Sequence, residues 1–186
     1  QSIKVRFSQN WCAVVVDAIL ERLDLTSISV ANDQAASDRL EALWIDTELE
    51  LDEEDVHRAA LVTGEAFVVA WQDEGQPIEA YYNDPALIHV QYDRNDRRTK
   101  LWAAKWWEEE TGHWRLTFWY PDRLEYYRTS KPEKPQTAKA FQPMEEAQAV
   151  NPTGVVPVFH FRRERRATLS ELKNVILIQS AVNKLL

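Results

Sequence analysis

Three residue types are scarce in this chain of 186 residues: it has four glycines, one cysteine and one methionine. Four scattered glycines exclude a phosphate-binding loop and a dinucleotide-binding fingerprint, because both motifs need glycines at short fixed spacings. A single cysteine excludes an intramolecular disulfide and is typical of a reducing compartment. No apolar run could cross a bilayer, and no basic-then-apolar leader follows Gln1, so neither a membrane span nor a signal peptide is expected.

Residues that carry metal or nucleophilic chemistry do not converge in this sequence. The four histidines are far apart, and Cys12 lies in an apolar helical pattern typical of a core residue. A Gly-x-Ser-x-Gly elbow is absent. The run 108–110 could supply glycosidase carboxylates, but a charge run before the Thr111–Gly112 turn is typical of a solvated hairpin tip. We therefore predict no metal or cofactor-binding residues, and a glycosidase carboxylate pair is the one enzymatic alternative that stays open at this point.

The formal charge of −8 is distributed unevenly along the chain. Residues 1–60 carry five positive and thirteen negative side chains, whereas 161–186 carry six and two. The acidic total argues against a surface that grips nucleic acid broadly, since phosphate binding needs clustered Lys and Arg. This difference in charge between the two ends of the chain has two interpretations. An acidic face and a basic face could associate between copies of the chain, or both could be solvated surfaces that merely differ in charge.

Apolar residues recur at helical spacing through the first third of the chain. This spacing predicts helices over about 11–25 and 34–49, with a short β-branched stretch at 26–30 as a candidate edge strand. The acidic run 52–55 predicts the start of a third helix, because carboxylates cap free amide donors and favour the positive end of the helix dipole. Gly64 is the expected C-cap of that helix.

After Gly64 the apolar period changes to two, which predicts strands separated by turns. The expected strands cover 65–72, 78–82, 87–92, 100–107, 113–120 and 123–128. Their short connections imply antiparallel pairing in a meander or curled sheet. The proline-rich stretch 129–153 predicts an irregular loop. A strand over 155–161 and a helix over 170–186 follow, and the helix has no stop signal at its end.

These elements together predict an α+β fold, in which N-terminal helices pack on an antiparallel, partly curled β-sheet. A C-terminal strand and a long helix close it. We expect one domain over 1–168, with helices over about 11–64 and the sheet over about 65–128. Residues 169–186 are expected to begin a longer helix that the chain truncates.

Tryptophan is abundant, with eight residues, and five of them lie on the two strands joined at Thr111–Gly112. Because side chains alternate along a strand, these aromatics lie on both faces of the sheet. One face can fill the core, and the other needs a partner such as a sugar, a single-stranded nucleic acid or a neighbouring subunit. Cross-strand aromatic pairs that only stabilise the sheet are the simpler alternative. The acidic balance disfavours nucleic acid stacking.

Several short segments follow one another in a recognisable order. They are Asn10 with AVVVDAILERL at 13–23, LWI at 43–45, VHRAALVTGEAFVV at 56–69, DP at 84–85, YPDRL at 120–124, NPTGVVPV at 151–158 and SEL at 170–172. In this order and spacing the chain resembles the portal proteins of tailed bacteriophages, which are ring-shaped head-to-tail connectors. The positions that carry the resemblance are His57, Gly64, Pro85, Pro121, Asp122, Gly154, Pro157, Ser170, Glu171, Leu172 and Asn183.

Two positions depart from the pattern that the resemblance implies. The family usually has Gly-x-Ser-Glu-Leu where this chain has Thr168 ahead of Ser170, and proline is common where Leu177 stands. The departures affect the expected local turn and helix start.

The resemblance implies the outward wing region of a portal subunit, ending in the start of the stem helix. The resemblance implies that the full-length protein forms a dodecameric ring at one capsid vertex. The ring would serve as the conduit for DNA packaging and ejection, and it would dock terminase, capsid and head–tail connector proteins. The resemblance also implies a non-enzymatic structural protein of the virion, present in the bacterial host cytoplasm during assembly, with double-stranded DNA passing through without sequence-specific binding. No cofactor and no membrane are implied.

A ring uses two different surfaces of each subunit, so the surplus aromatic face and the charge polarity are expected at subunit contacts. The candidate interface residues are Trp107, Trp119, Arg162, Arg163, Arg165 and Arg166. A Trp-rich carbohydrate-binding or glycoside-processing domain is the alternative function.

Overall fold

A computed structural model of the chain describes residues 10–73, 75–162, 164 and 167–185. The described chain divides into two compact units. One contains the described parts of 1–66 and 161–186, and the other contains the described parts of 67–160. The predicted α+β class is confirmed, with helices, antiparallel sheets that do not close, and a C-terminal helix. The expected domain over 1–168 stays a prediction.

The first unit is helical. Its helices are α1 (Trp11–Leu20), α2 (Gln34–Asp46), α3 (Leu49–Thr63) and α4 (Val175–Leu185), and the 3-10 turn Glu171–Lys173 precedes α4. The side chains of Asn10 and Asp33 cap α1 and α2, because their oxygens accept hydrogen bonds from backbone N–H groups that have no partner within the helix. No described helix is both long and apolar enough to cross a membrane.

Several helix boundaries differ from the sequence predictions, and α2 ends at Asp46 rather than near 49. Helix α1 ends at Leu20 rather than near 25, and the predicted edge strand at 26–30 is wrong, since Val30 forms only an isolated bridge with Asp33. Helix α3 begins at Leu49, before the acidic run rather than within it. The predicted last helix starts late, at Val175, because the 3-10 turn occupies the preceding residues.

Gly64 ends α3 in the left-handed region, as predicted, with φ of +91°. A Cβ atom at this position would lie 2.6 Å from the backbone nitrogen of Leu169. Two independent constraints therefore require glycine here: the positive φ angle, and the close approach of the segment before α4, which leaves no space for a Cβ atom. Val16, Leu20 and Leu172 form the small buried core of this unit, and Cys12 packs against it.

The strands that the structure describes are β1 (Glu65–Trp71), β2 (Glu79–Asn83), β3 (Ile88–Tyr92), β4 (Lys100–Glu108), β5 (Trp114–Trp119), β6 (Arg123–Thr129), β7 (Phe141–Val150) and β8 (Val158–Arg162). Seven of these eight strands lie close to predicted ones, and β7 is the exception. Two sheets form instead of the single predicted sheet: a three-stranded one with the order β2-β1-β8 and a five-stranded antiparallel meander with the order β3-β4-β5-β6-β7.

The predicted irregular loop at 129–153 is wrong, because it contains the ten-residue strand β7. This strand pairs antiparallel with β6, from Thr129 opposite Phe141 to Arg123 opposite Val150. Its composition, with Pro143 and two glutamates, has little strand preference. Strand β7 is an edge strand, where proline is tolerated. It is stabilised by backbone hydrogen bonds to β6 and not by the strand preference of its own residues.

The core of the second unit lies between the two sheets. Phe67 and Val69 of β1 and Val158 of β8 contact one face of the five-stranded sheet. That face contributes Ile88, Val90, Ala103, Trp119 and Leu124. Lys100 of β4 donates a hydrogen bond from Nζ to the carbonyl of Val158, which links the two sheets at their edge.

Candidate functional site

The two candidate interface tryptophans lie on the same face of the five-stranded sheet but in different surroundings. Ala103 pairs with Trp119 and Trp107 pairs with Arg115 across β4 and β5, so both indoles are on the face that packs on the smaller sheet. Trp119 is only 6% exposed and belongs to the core. The expectation that Trp119 faces a neighbouring subunit is therefore corrected, whereas Trp107 lies beyond the core and is partly exposed.

Trp107 belongs to a cluster of cations and aromatic rings, which we call the cation–aromatic cluster (Tyr81, Lys105, Trp107 and Arg115). The Lys105 ammonium nitrogen lies 4.8 Å from the Tyr81 ring centroid and 5.4 Å from the Trp107 ring centroid. The Arg115 guanidinium carbon lies 5.7 Å from the Trp107 ring centroid. Two cations thus lie close to one indole, each attracted by the negative potential over an aromatic face.

The lysine of this cluster is half-buried, and burial lowers the pKa of the Lys105 ammonium. Burial also lowers the pKa of Lys100, but Lys100 has the Val158 carbonyl as a hydrogen-bond acceptor. Among the described residues, no carboxylate forms an ion pair with Lys105, whose ammonium lies over the Tyr81 and Trp107 rings. Lys105 is thus a desolvated cation without an anionic partner in its own chain as described.

Glu109 is a carboxylate beside the cluster, and it is already bound. Its two oxygens lie 3.3 Å from Arg115 Nε and 2.7 Å from Arg128 Nη2. The guanidinium of Arg115 also donates to the sulfur of Met144 at 3.4 Å, so it is held in place. The run 108–110 is therefore not merely a solvated tip, because its middle glutamate pairs with two arginines that the sequence did not link to it.

The opposite face of the five-stranded sheet carries a second aromatic group. Phe118 lies at its centre, with edge-on contacts to Trp102 at 5.5 Å and to Tyr127 at 5.9 Å and a stacked contact to Tyr120 at 6.1 Å between centroids. His89 extends the row from Trp102, at 5.6 Å. These rings pack against one another, as in the simpler interpretation that cross-strand aromatic pairs stabilise the sheet.

Polar groups border this second aromatic group. The Arg123 guanidinium lies 4.0 Å from the Tyr120 ring centroid and donates to Glu125 at 2.8 Å. The Tyr127 hydroxyl donates to the other oxygen of Glu125 at 3.0 Å. Burial raises the pKa of the Tyr120 and Tyr127 hydroxyls, so both rings stay neutral near pH 7.

Asn151 organises the segment that contains several motif positions, and the sequence did not single out its role. It is buried, and its amide nitrogen donates to the carbonyls of Tyr120 and Val155, at 2.7 Å each. The backbone N–H of Asn151 donates to the carbonyl of Asp122. Asn151 therefore joins the Pro121–Asp122 turn to the turn at Gly154, which has φ of +68°.

The remaining motif positions also have structural contacts. Asp84 accepts from the N–H of Ala86 across the Pro85 turn, and the carbonyl of Pro157 accepts from Ala70. In the helical unit, the hydroxyl of Ser170 accepts from the N–H of Leu172 at 3.0 Å, and Glu171 begins the 3-10 turn. His57 lies 3.7 Å from Glu53, and Asn183 accepts from Gln179.

The basic candidate residues are only partly within the described chain. Arg162 ends β8 and is half-exposed. Arg163, Arg165 and Arg166 lie outside the described residues.

Metal-binding chemistry finds no support in the described part of the chain. No three His, Cys, Asp or Glu side chains come together there as a metal ion would require. The described residues form clusters of charged side chains and aromatic rings that could pair with another surface.

The family profile described as phage portal protein, SPP1 Gp6-like, matches residues 4–186. No curated protein matches the chain.

Proposed function

The chain belongs to the SPP1 Gp6-like phage portal protein family, and from this membership we propose that it is a subunit of a ring at one capsid vertex. The observation that carries the proposal is the family match over residues 4–186, nearly the whole chain. The family assigns a structural role in the virion. We propose that this role is the whole function and that the chain has no enzymatic activity.

The finer roles extend the same proposal. The ring, a dodecamer in the full-length protein of a phage or prophage, is the conduit for DNA packaging and ejection. It docks terminase, capsid and head–tail connector proteins, and it assembles in the cytoplasm of the bacterial host. The net charge of −8 supports passage of double-stranded DNA without tight or sequence-specific binding, because a broadly cationic surface would retain the phosphate backbone.

Within the subunit, we assign residues 1–168 to the wing and 169–186 to the start of the stem. Three consecutive apolar residues of α4, Ile176, Leu177 and Ile178, are exposed. Exposed apolar surface of this kind is typical of a region that is covered in an assembly, which supports a contact along this helix.

Two further features support contacts between subunits. Trp107 is partly exposed beside Lys105 and Arg115, and the basic residues Arg162, Arg163, Arg165 and Arg166 oppose the acidic N-terminal third in charge. A ring joins two different surfaces of each subunit, so surfaces of opposite charge suit it.

Carbohydrate binding, the alternative function, has weaker support. A sugar platform needs aromatic faces that are free for a ligand, whereas the rings around Phe118 contact one another.

Electron microscopy of the purified full-length protein tests the proposal. We expect rings of about twelvefold symmetry with a central channel. Monodisperse monomers at high concentration, together with heat on titration with oligosaccharides, would instead support the carbohydrate-binding alternative.

A further inference from the structure

The half-buried ammonium of Lys105 has surroundings that suit an anion from outside the chain. Transfer of a cation out of water is unfavourable unless an opposite charge or hydrogen-bond acceptors replace the lost water. Tyr81 and Trp107 supply only aromatic faces, and the Glu109 carboxylate is held by Arg115 and Arg128. The Asp73 carboxylate, on the loop after β1, accepts from the Trp71 indole at 2.8 Å.

The cluster itself contains two cations and no carboxylate. Glu109 pairs with Arg115 and Arg128, and burial, followed by the nearby carboxylates of Glu79 and Asp73, raises the pKa of Tyr81. Lys105 has no ion pair among the described residues. Trp107 adds a partly exposed apolar surface beside these cations. A complementary surface would therefore combine carboxylates with an apolar side chain.

The beginning of α3 has this composition, and we call it the α3 knob (Glu48, Leu51 and Asp55). Leu51 is 72% exposed, which is unusual for a leucine at the start of an amphipathic helix. Asp55 lies one helical turn after Leu51 and Glu48 lies three residues before it, so the three side chains share one side of the helix. Both carboxylates are exposed, and neither pairs with a cation among the described residues.

We propose that the α3 knob of one subunit docks on the cation–aromatic cluster of the next, with Asp55 reaching Lys105 and Leu51 covering Trp107. The docking joins two different surfaces, one from each unit of the fold, so each subunit offers both halves of the contact. It is a head-to-tail interaction of the kind that closes rings. This assignment rests on the proposed ring and names the residues of one of its contacts.

Charge exchange between the two halves tests the docking in the full-length protein. K105E and D55K each place like charges opposite one another, and we expect each to raise the concentration for half-maximal assembly by about tenfold, as for a moderate interface hot spot. The double variant K105E/D55K restores the opposite charges in exchanged positions and should recover most of the loss. Sedimentation velocity over a concentration series measures these midpoints.

Matched controls separate a local effect from a change in total charge. K139E and E41K change the charge of exposed side chains by the same amounts as K105E and D55K, respectively. Both controls should leave the concentration for half-maximal assembly unchanged. Near-ultraviolet circular dichroism checks that the variants are folded, and K105Q, which removes the charge without reversing it, replaces K105E if that variant unfolds.

The outcomes distinguish the docking from the ring itself. If the unaltered protein does not assemble at all, the proposed function fails. If it forms rings but K105E and D55K assemble as it does, or if the double variant is no better than the singles, the docking is overturned while the ring stands.

Discussion

At the scale of single residues, the two tryptophans of one sheet face show how burial separates similar side chains. Trp119 fills space among Phe67, Val158 and Leu124, whereas Trp107 lies four residues away along the paired strands, beside cations. Because side chains alternate along a strand, the pairing of β4 with β5 places both tryptophans on one face. Their positions along that face, inside or beyond the area that the smaller sheet covers, determine their roles.

Trp119→Ala should therefore lower the free energy of unfolding of the isolated subunit by about 3–5 kcal/mol, because it leaves a large cavity between the sheets. Trp107→Ala, the matched change on the same face, should cost about 1 kcal/mol or less. Chemical denaturation with a fluorescence or circular dichroism signal measures both. Equal losses would mean that Trp107 is also a core residue.

Asn151 illustrates a residue whose importance depends on its partners. Its amide satisfies two backbone carbonyls, and its side-chain oxygen accepts from Thr153. The sequence shows an asparagine before a proline, which indicates a turn. Only the folded chain brings the carbonyl of Tyr120 to it, from 31 residues away.

At the scale of elements, β7 is the clearest difference between sequence and structure. The strands from 65 to 129 were predictable because apolar residues alternate in them and turn residues separate them. Residues 141–150 show neither signal strongly, and four prolines between 129 and 153 favour a loop. Pairing with β6 supplies a row of backbone hydrogen bonds that local preferences cannot reveal.

Hydrogen exchange tests this strand. Backbone amides of residues 141–150 that point towards β6 should exchange slowly, and those that point away should exchange quickly, since β7 is an edge strand. Mass spectrometry with short overlapping peptides, or nuclear magnetic resonance, resolves the alternation. Uniformly fast exchange across 141–150 would contradict the strand and support the loop predicted from sequence.

The helices show the complementary case, in which the local signals determine the ends. Asn10 and Asp33 cap α1 and α2, and Gly64 ends α3, and each of these residues provides a local stop or start signal. The end of α1 was overestimated because apolar residues continue to Leu25 after the helix has stopped. The spacing of these apolar residues indicates a helix beyond Leu20, although the backbone is no longer helical there.

At the scale of the whole molecule, the charge polarity bears on assembly. In the proposed ring, the acidic first third and the basic end of the chain would attract one another between subunits. The proposed contact between the α3 knob and the cation–aromatic cluster would add to this attraction. Salt shortens the range of such attraction, with a Debye length of about 10 Å at 0.1 M and about 3 Å at 1 M.

Assembly of the full-length protein should therefore weaken as salt rises from about 0.1 to about 1 M, with a higher concentration needed for half-maximal ring formation. Sedimentation velocity at several salt concentrations measures the shift. The K105E/D55K variant serves as the control, because its exchanged charges should retain the same salt dependence. Assembly that strengthens with salt would indicate that apolar contacts, such as those of α4, dominate instead.

Local patterns in the chain were sufficient for the α+β class, the antiparallel order of most strands and the family resemblance, because periodicity, turn residues and short motifs are properties of neighbouring residues. The tertiary structure decided that the strands form two sheets, that β7 completes the larger one and that Trp119 is buried while Trp107 is not. It also decided that Glu109 binds two arginines and leaves Lys105 without a carboxylate among the described residues. These outcomes depend on strand pairing and burial between segments that are distant in sequence. Their energies cannot be inferred from short stretches of neighbouring residues.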